Sequence, residues 1–156
     1  MKRILWPILA MAFVALAPSS GAQESDASTA VARESALLRG TITDASGTGL
    51  SGVTVKIFEE GFLVAESQSG AGGTYQVEFE YAPELDWTMV VWFVPQREDL
   101  IPEIAMLRES FRSKEMELWS SCLPRLELRP VIKYDAQLYD EAGKLAQMSE
   151  LDCLED

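Results

Sequence analysis

Apolar and polar residues alternate in short runs through the middle of this chain, and glycine-bearing turns separate the runs. From Ala36 to Thr43, Leu38 and Ile42 fall on one face of an extended segment around Gly40, whose missing side chain predicts a close backbone approach. The turn Asp44-Ala45-Ser46-Gly47-Thr48-Gly49-Leu50 follows. Val53, Val55 and Ile57 then alternate with Thr54, Lys56 and Phe58, Glu59-Glu60-Gly61 signals a hairpin, and Phe62 to Ser67 returns as a third strand. After Gly70-Ala71-Gly72-Gly73, Tyr75, Val77, Phe79 and Tyr81 alternate with Thr74, Gln76, Glu78 and Glu80, which puts the first set on an inward face. Trp87 to Val94 is apolar on both faces, as a central strand covered on both sides would be, and Pro95 ends its ladder. The pattern predicts an all-β protein, a small antiparallel β-sandwich.

Beyond Pro95 two readings stay open. Ile104, Leu107, Phe111 and Leu118 keep near-helical spacing behind Glu98, Asp99 and Pro102, so residues 98–119 read as a helix; Ile104 to Arg108 reads equally well as extended. Further on, Val131 to Tyr139, the turn Asp140-Glu141-Ala142-Gly143-Lys144, and Leu145 to Met148 predict a hairpin that elaborates the sandwich. Gln23 to Ser35 is rich in Ala, Ser, Glu and Asp without apolar periodicity, a disordered lead-in. The expected organisation is therefore a lead-in over 23–35, a sandwich over 36–112, and a C-terminal extension over 113–156 packed upon it.

Residues 38 to 95 carry a resemblance. Gly40, Ile42 and Asp44, then Leu50, Gly52, Val53 and Val55, then Gly73, Tyr75 and Val77 follow the spacing G-x-V/I-x-D, L-x-G-A/V-x-V, G-x-Y-x-φ. This stretch resembles the carboxypeptidase regulatory-like domains, relatives of transthyretin with an immunoglobulin-like β-sandwich. Ser51 stands where the family often has proline. The resemblance implies that fold and use as a mostly non-catalytic accessory module beside enzymes or receptors; it implies no substrate.

At the amino end, Lys2 and Arg3 precede the apolar run Ile4 to Ala17, and Ser20-Gly21-Ala22 supplies small residues for a signal peptidase. A bilayer span needs about 20 apolar residues, so the run reads as a cleaved signal over 1–22 and no stable membrane anchor is expected. The chain carries 13 basic and 25 acidic residues, a net charge of −12. Loss of Lys2 and Arg3 leaves 11 basic residues and a net charge of −14. Such a field disfavours nucleic acid and anionic membranes. Export places Cys122 and Cys153, the only two cysteines, in an oxidising compartment, periplasmic or extracellular, where a disulfide is the default.

Missing residue types narrow the chemistry. With no histidine in the chain, Ser-His-Asp and Cys-His catalysis are excluded, and neither a zinc site of the usual kind nor a P-loop is present. No cofactor and no metal are expected. Carboxylates remain: Glu78 and Glu80 share one strand face, which reads as a solvated outer row or, with a convergent partner, as the start of a carboxylate-dependent hydrolase. Trp87 and Trp92 are candidate ligand-stacking residues, the mark of a carbohydrate-binding module if they form an exposed coplanar pair. If Val91 faces the core, Trp92 faces away from it. The reading the sequence favours is an exported, non-catalytic interaction or accessory module of the cell envelope with a protein partner.

Overall fold

The computed structural model describes residues 31–108 and 123–150, the last two as backbone only. The expected signal peptide, most of the lead-in, Phe111, Leu118, Trp119, Cys122 and Cys153 lie outside the described residues. Among the described residues eight strands run in chain order: β1 Glu34–Asp44, β2 Thr54–Glu59, β3 Phe62–Gln68, β4 Thr74–Tyr81, β5 Met89–Val94, β6 Glu103–Arg108, β7 Val131–Lys133 and β8 Ala136–Leu138. One α-helix among them, α1, spans Glu141–Glu150. The strands form two four-stranded sheets, and the protein is an all-β sandwich.

In the first sheet β1 is central. It pairs antiparallel with β4, from Glu34 opposite Tyr81 to Thr41 opposite Thr74. Along its other side run β7 and then β8, both parallel to it, against Leu37–Arg39 and Ile42–Asp44 respectively. Between these two contacts the chain steps over Gly40. A β-carbon on Gly40 would lie 1.8 Å from the Tyr134 carbonyl oxygen, so only glycine admits this crossing. The carboxylate of Asp135 fills the gap in the ladder, accepting hydrogen bonds from the Thr41 amide at 2.8 Å and its hydroxyl at 2.7 Å.

The second sheet has the order β3-β2-β5-β6 and is antiparallel throughout. Its inner face presents Val55, Ile57, Met89, Val91, Phe93, Ala105 and Leu107 to Leu38, Ile42, Val77 and Phe79 of the other sheet, all buried. Alternation produces this most plainly in β4, where every second residue from Tyr75 to Tyr81 is buried and the residues between are exposed; β6 departs from it, with Met106 buried between Ala105 and Leu107. At about 25 cal/mol per Å² of apolar surface removed from water, this shared layer is the main stabilising term. The Asp44 turn closes through its own carboxylate, which accepts from the amides of Ser46 and Thr48 at 2.9 and 3.0 Å.

Of the two open readings after Pro95, the extended one holds for the described part: residues 103–108 are a strand whose pairing with β5 aligns Ile104 with Trp92, and the apolar spacing continues only into residues beyond the described strand. Three expectations change. The C-terminal hairpin is absent. Residues 131–138 instead form one extended run whose even-numbered members Ile132, Ala136 and Leu138 are buried against β1, and residues 141–150 are helical. Asp140 acts as the helix cap, accepting from the Gly143 amide at 2.7 Å, so a sequence that reads as a turn is a helix start. Lastly, the outer side of β5 is covered only in part: Val90 and Val94 are half-buried and Trp92 between them is 39% exposed. The first strand also begins earlier than expected, at Glu34 within the proposed lead-in.

Candidate functional site

The outer face of the second sheet is its unusual surface. Outward positions of a strand next to solvent normally carry polar groups. Here Phe58 of β2 lies opposite Val90 of β5 and opposite Leu63 of β3, while Trp92 of β5 lies opposite Ile104 of β6 and Lys56 of β2. The rings of Phe58 and Trp92 meet edge to face, with centroids 5.9 Å apart and planes at 62°. At the edge, Phe62 is 76% and Leu63 51% exposed. The turn that presents them has left-handed backbone at Glu60 and Gly61, with φ of 49° and 82°, as a two-residue hairpin loop requires. An ion pair between Lys56 and Glu66 at 3.5 Å borders the apolar area.

Of the candidate stacking residues, Trp92 belongs to this face and Trp87 does not. Trp87 lies in the connection before β5, 37% exposed, and makes no ring contact with Trp92. The pair is therefore not a coplanar platform. Tyr75 and Tyr81 point into the core, 5% exposed each. Phe62 and Leu63 were legible only as members of a strand; that they sit at a sheet edge follows from strand order, which the sequence does not state.

Carboxylates are scattered by comparison. Glu78 and Glu80 share the exposed outer face of β4, as their spacing predicts, with no third acid beside them. Among the described residues no group of three or more acids, histidines or cysteines is placed to hold a metal ion. Glu98, Asp99, Asp140 and Glu141 line one open depression, yet Asp99 is committed to Arg97 and Asp140 to the start of α1. The Asp99 carboxyl is held below its ordinary range by the Arg97 hydrogen bond, and that of Asp135 by the Thr41 hydroxyl and amide. Asp99 and Asp135 are thereby held ionised and unsuited to donating a proton at neutral pH.

Two buried acids have structural tasks as well. Glu59, 5% exposed, accepts from Arg33 at 2.8 Å through Oε2, while its Oε1 has no partner. Glu103 accepts from Lys144 and so fastens α1 to β6.

Neither a family model nor a curated protein sequence matches this chain. Among solved structures it is similar to 3-chlorocatechol 1,2-dioxygenase from Rhodococcus opacus 1CP, at 12% identity and a TM-score of 0.42, over 69% of this chain and 60% of that one. It is also similar to the dioxygenase domain of a dioxygenase carbohydrate-binding protein fusion from Streptomyces sp. SirexAA-E, at 15% identity and a TM-score of 0.46, over 72% and 84% of the two chains. A C-terminal fragment of the pilus adhesin SpaC from Lactobacillus rhamnosus GG matches at 12% identity and a TM-score of 0.44, over 68% and 45%. Likeness at this level assigns no activity.

Proposed function

We propose that this chain is an exported, non-catalytic β-sandwich of the carboxypeptidase regulatory-like type, an interaction or accessory module of the cell envelope whose protein partner docks on the outer face of the second sheet. The observation that carries this reading is the gathering of half-buried Phe58 with exposed Leu63 and Trp92 on one face, with Phe62, opposite Glu59, exposed at the end of the edge strand. Contiguous exposed apolar surface costs solubility, and proteins keep it where another surface covers it. Trp and Phe are the residue types that supply most binding energy at such contacts.

Affinity capture from envelope extract, run with the parent chain and with Trp92→Ala and Leu63→Ser, tests the proposal. Capture of the same protein by the parent and its loss with both folded variants is the expected result. A glycan array run in parallel addresses the carbohydrate reading, which Trp92 alone supports; saturable glycan binding lost with Trp92→Ala would replace the protein partner. Turnover of an ester, peptide, phosphate or glycoside that depends on one Asp or Glu would overturn the non-catalytic reading. Export predicts an intact mass beginning at Gln23, and peptide mapping without reductant is expected to recover Cys122 joined to Cys153.

A further inference from the structure

On the opposite sheet, charge gathers against the trend of the whole molecule. Arg39 of β1 and Lys133 of β7 are register partners on adjacent parallel strands, both exposed on the outer face. Each other described cation has an interaction partner; for Arg39 and Lys133 no ion pair or hydrogen bond is present among the described residues. In a chain of net charge −12, two neighbouring cations left unneutralised make a local field of the opposite sign.

The backbone beside them is open too. The Leu37 amide donates to the Pro130 carbonyl at 2.9 Å and the Tyr134 amide to the Arg39 carbonyl at 3.0 Å, so the even-numbered residues of this run direct their polar groups to β1. Alternation turns the amides and carbonyls of Val131 and Lys133 the other way, where no described residue bonds them. An open depression of about 600 Å³, lined by Leu126, Arg129, Val131 and Lys133 among others, runs along that edge. Of the described carboxylates bordering this edge, Glu127 pairs with Arg129 and Asp135 is bound to Thr41; Glu78, diagonal to Arg39 on the same outer face, makes no ion pair with it.

We infer that the β7 edge is a second docking site, which takes an extended acidic peptide segment of a partner protein as an added strand. Main-chain hydrogen bonds to Val131 and Lys133 hold such a strand, and Arg39 and Lys133 select a carboxylate on its outward face. Side chains two apart share a face, so the residue opposite Lys133 is acidic and the one opposite Val131, itself 47% exposed, is apolar. This site lies on the other sheet from Trp92 and stands or falls independently of it.

A short labelled peptide bearing valine and glutamate two positions apart, titrated by fluorescence anisotropy into the full chain, tests the inference. Saturable binding that weakens with added salt is expected. Arg39→Glu with Lys133→Glu should weaken it about tenfold or more and transfer preference to the lysine version of the peptide. N-methylation of alternate peptide amides should abolish it, and Trp92→Ala should leave it unchanged. Both cations are exposed, so an unchanged melting curve certifies the fold of the double variant. Binding insensitive to the charge reversal or to N-methylation, binding of a sulfated glycan in place of the peptide, or no binding at all would overturn it.

Discussion

The phenol of Tyr75 on β4 donates a hydrogen bond to the backbone carbonyl of Tyr134 at 2.7 Å, passing over Gly40, its own register partner on β1. One side chain thereby links β4 to the β7–β8 run across the strand between them. The bond also satisfies a carbonyl that the step between β7 and β8 turns away from the ladder.

Gly40→Ala is expected to destabilise the domain by about 3 kcal/mol, because the new methyl meets the Tyr134 carbonyl and neither backbone can retreat without breaking a strand pair. Chemical denaturation measures it. A loss within experimental error would mean that the crossing is looser than the geometry requires.

Stability should fall at alkaline pH. Burial pushes the Tyr134 phenol up to about 12 and raises that of Tyr75 further, from an ordinary value of 10.0. Both groups keep their proton in the folded state, so their contribution is complete below pH 10 and is lost as pH rises through the folded values. Denaturation midpoints followed across this window should decline. Tyr75→Phe should make the decline shallower while costing about 1 kcal/mol at neutral pH through the missing hydrogen bond.

Adjacent residues on β5 should behave oppositely. Val91 is fully buried, and Val91→Asp places an unpaired charge in the core, which is expected to abolish cooperative melting. Trp92→Asp points outward, so it should leave a folded protein that no longer captures its partner. A cooperatively melting Val91→Asp protein would remove this strand from the core.

Arg33→Ala should cost about 1–3 kcal/mol, since it leaves the buried Glu59 carboxylate without its cation while Oε1 already lacks a partner. Arg33→Ala combined with Glu59→Leu should recover much of the loss, because two well-packed apolar groups replace a desolvated charge. Equal destabilisation of the single and double variants by thermal melting would show that the pair is not coupled.

Period-two alternation made β1, β2 and β4 legible in advance, because each has one buried face and a glycine-bearing turn beside it, and β5 was legible as an unbroken apolar run ended by Pro95. Gly40 announced its contact for the same local reason. What lay beyond reach was set by register over long separations. Arg39 and Lys133 are neighbours only because β7 runs parallel to β1, and no local pattern encodes that pairing. The exposure of Trp92 followed from the burial of Val91, whereas the apolar face it joins depends on which strands flank β5. Asp140 and Gly143 misled because capping residues and turn residues are the same types.

Because β1 is the first of the described strands while its partners β7 and β8 are the last of them, Thr41 waits for Asp135, 94 positions away. Closing so long a span costs chain entropy before any contact repays it, and such topologies fold slowly. A growing polypeptide has made the second sheet before it can complete the first, so one side of β1 stays unpaired until residues 131–138 have been made. Closure of this sheet therefore waits for residues 131–138, and cutting the chain before residue 138 removes the neighbours of β1 rather than trimming an appendage.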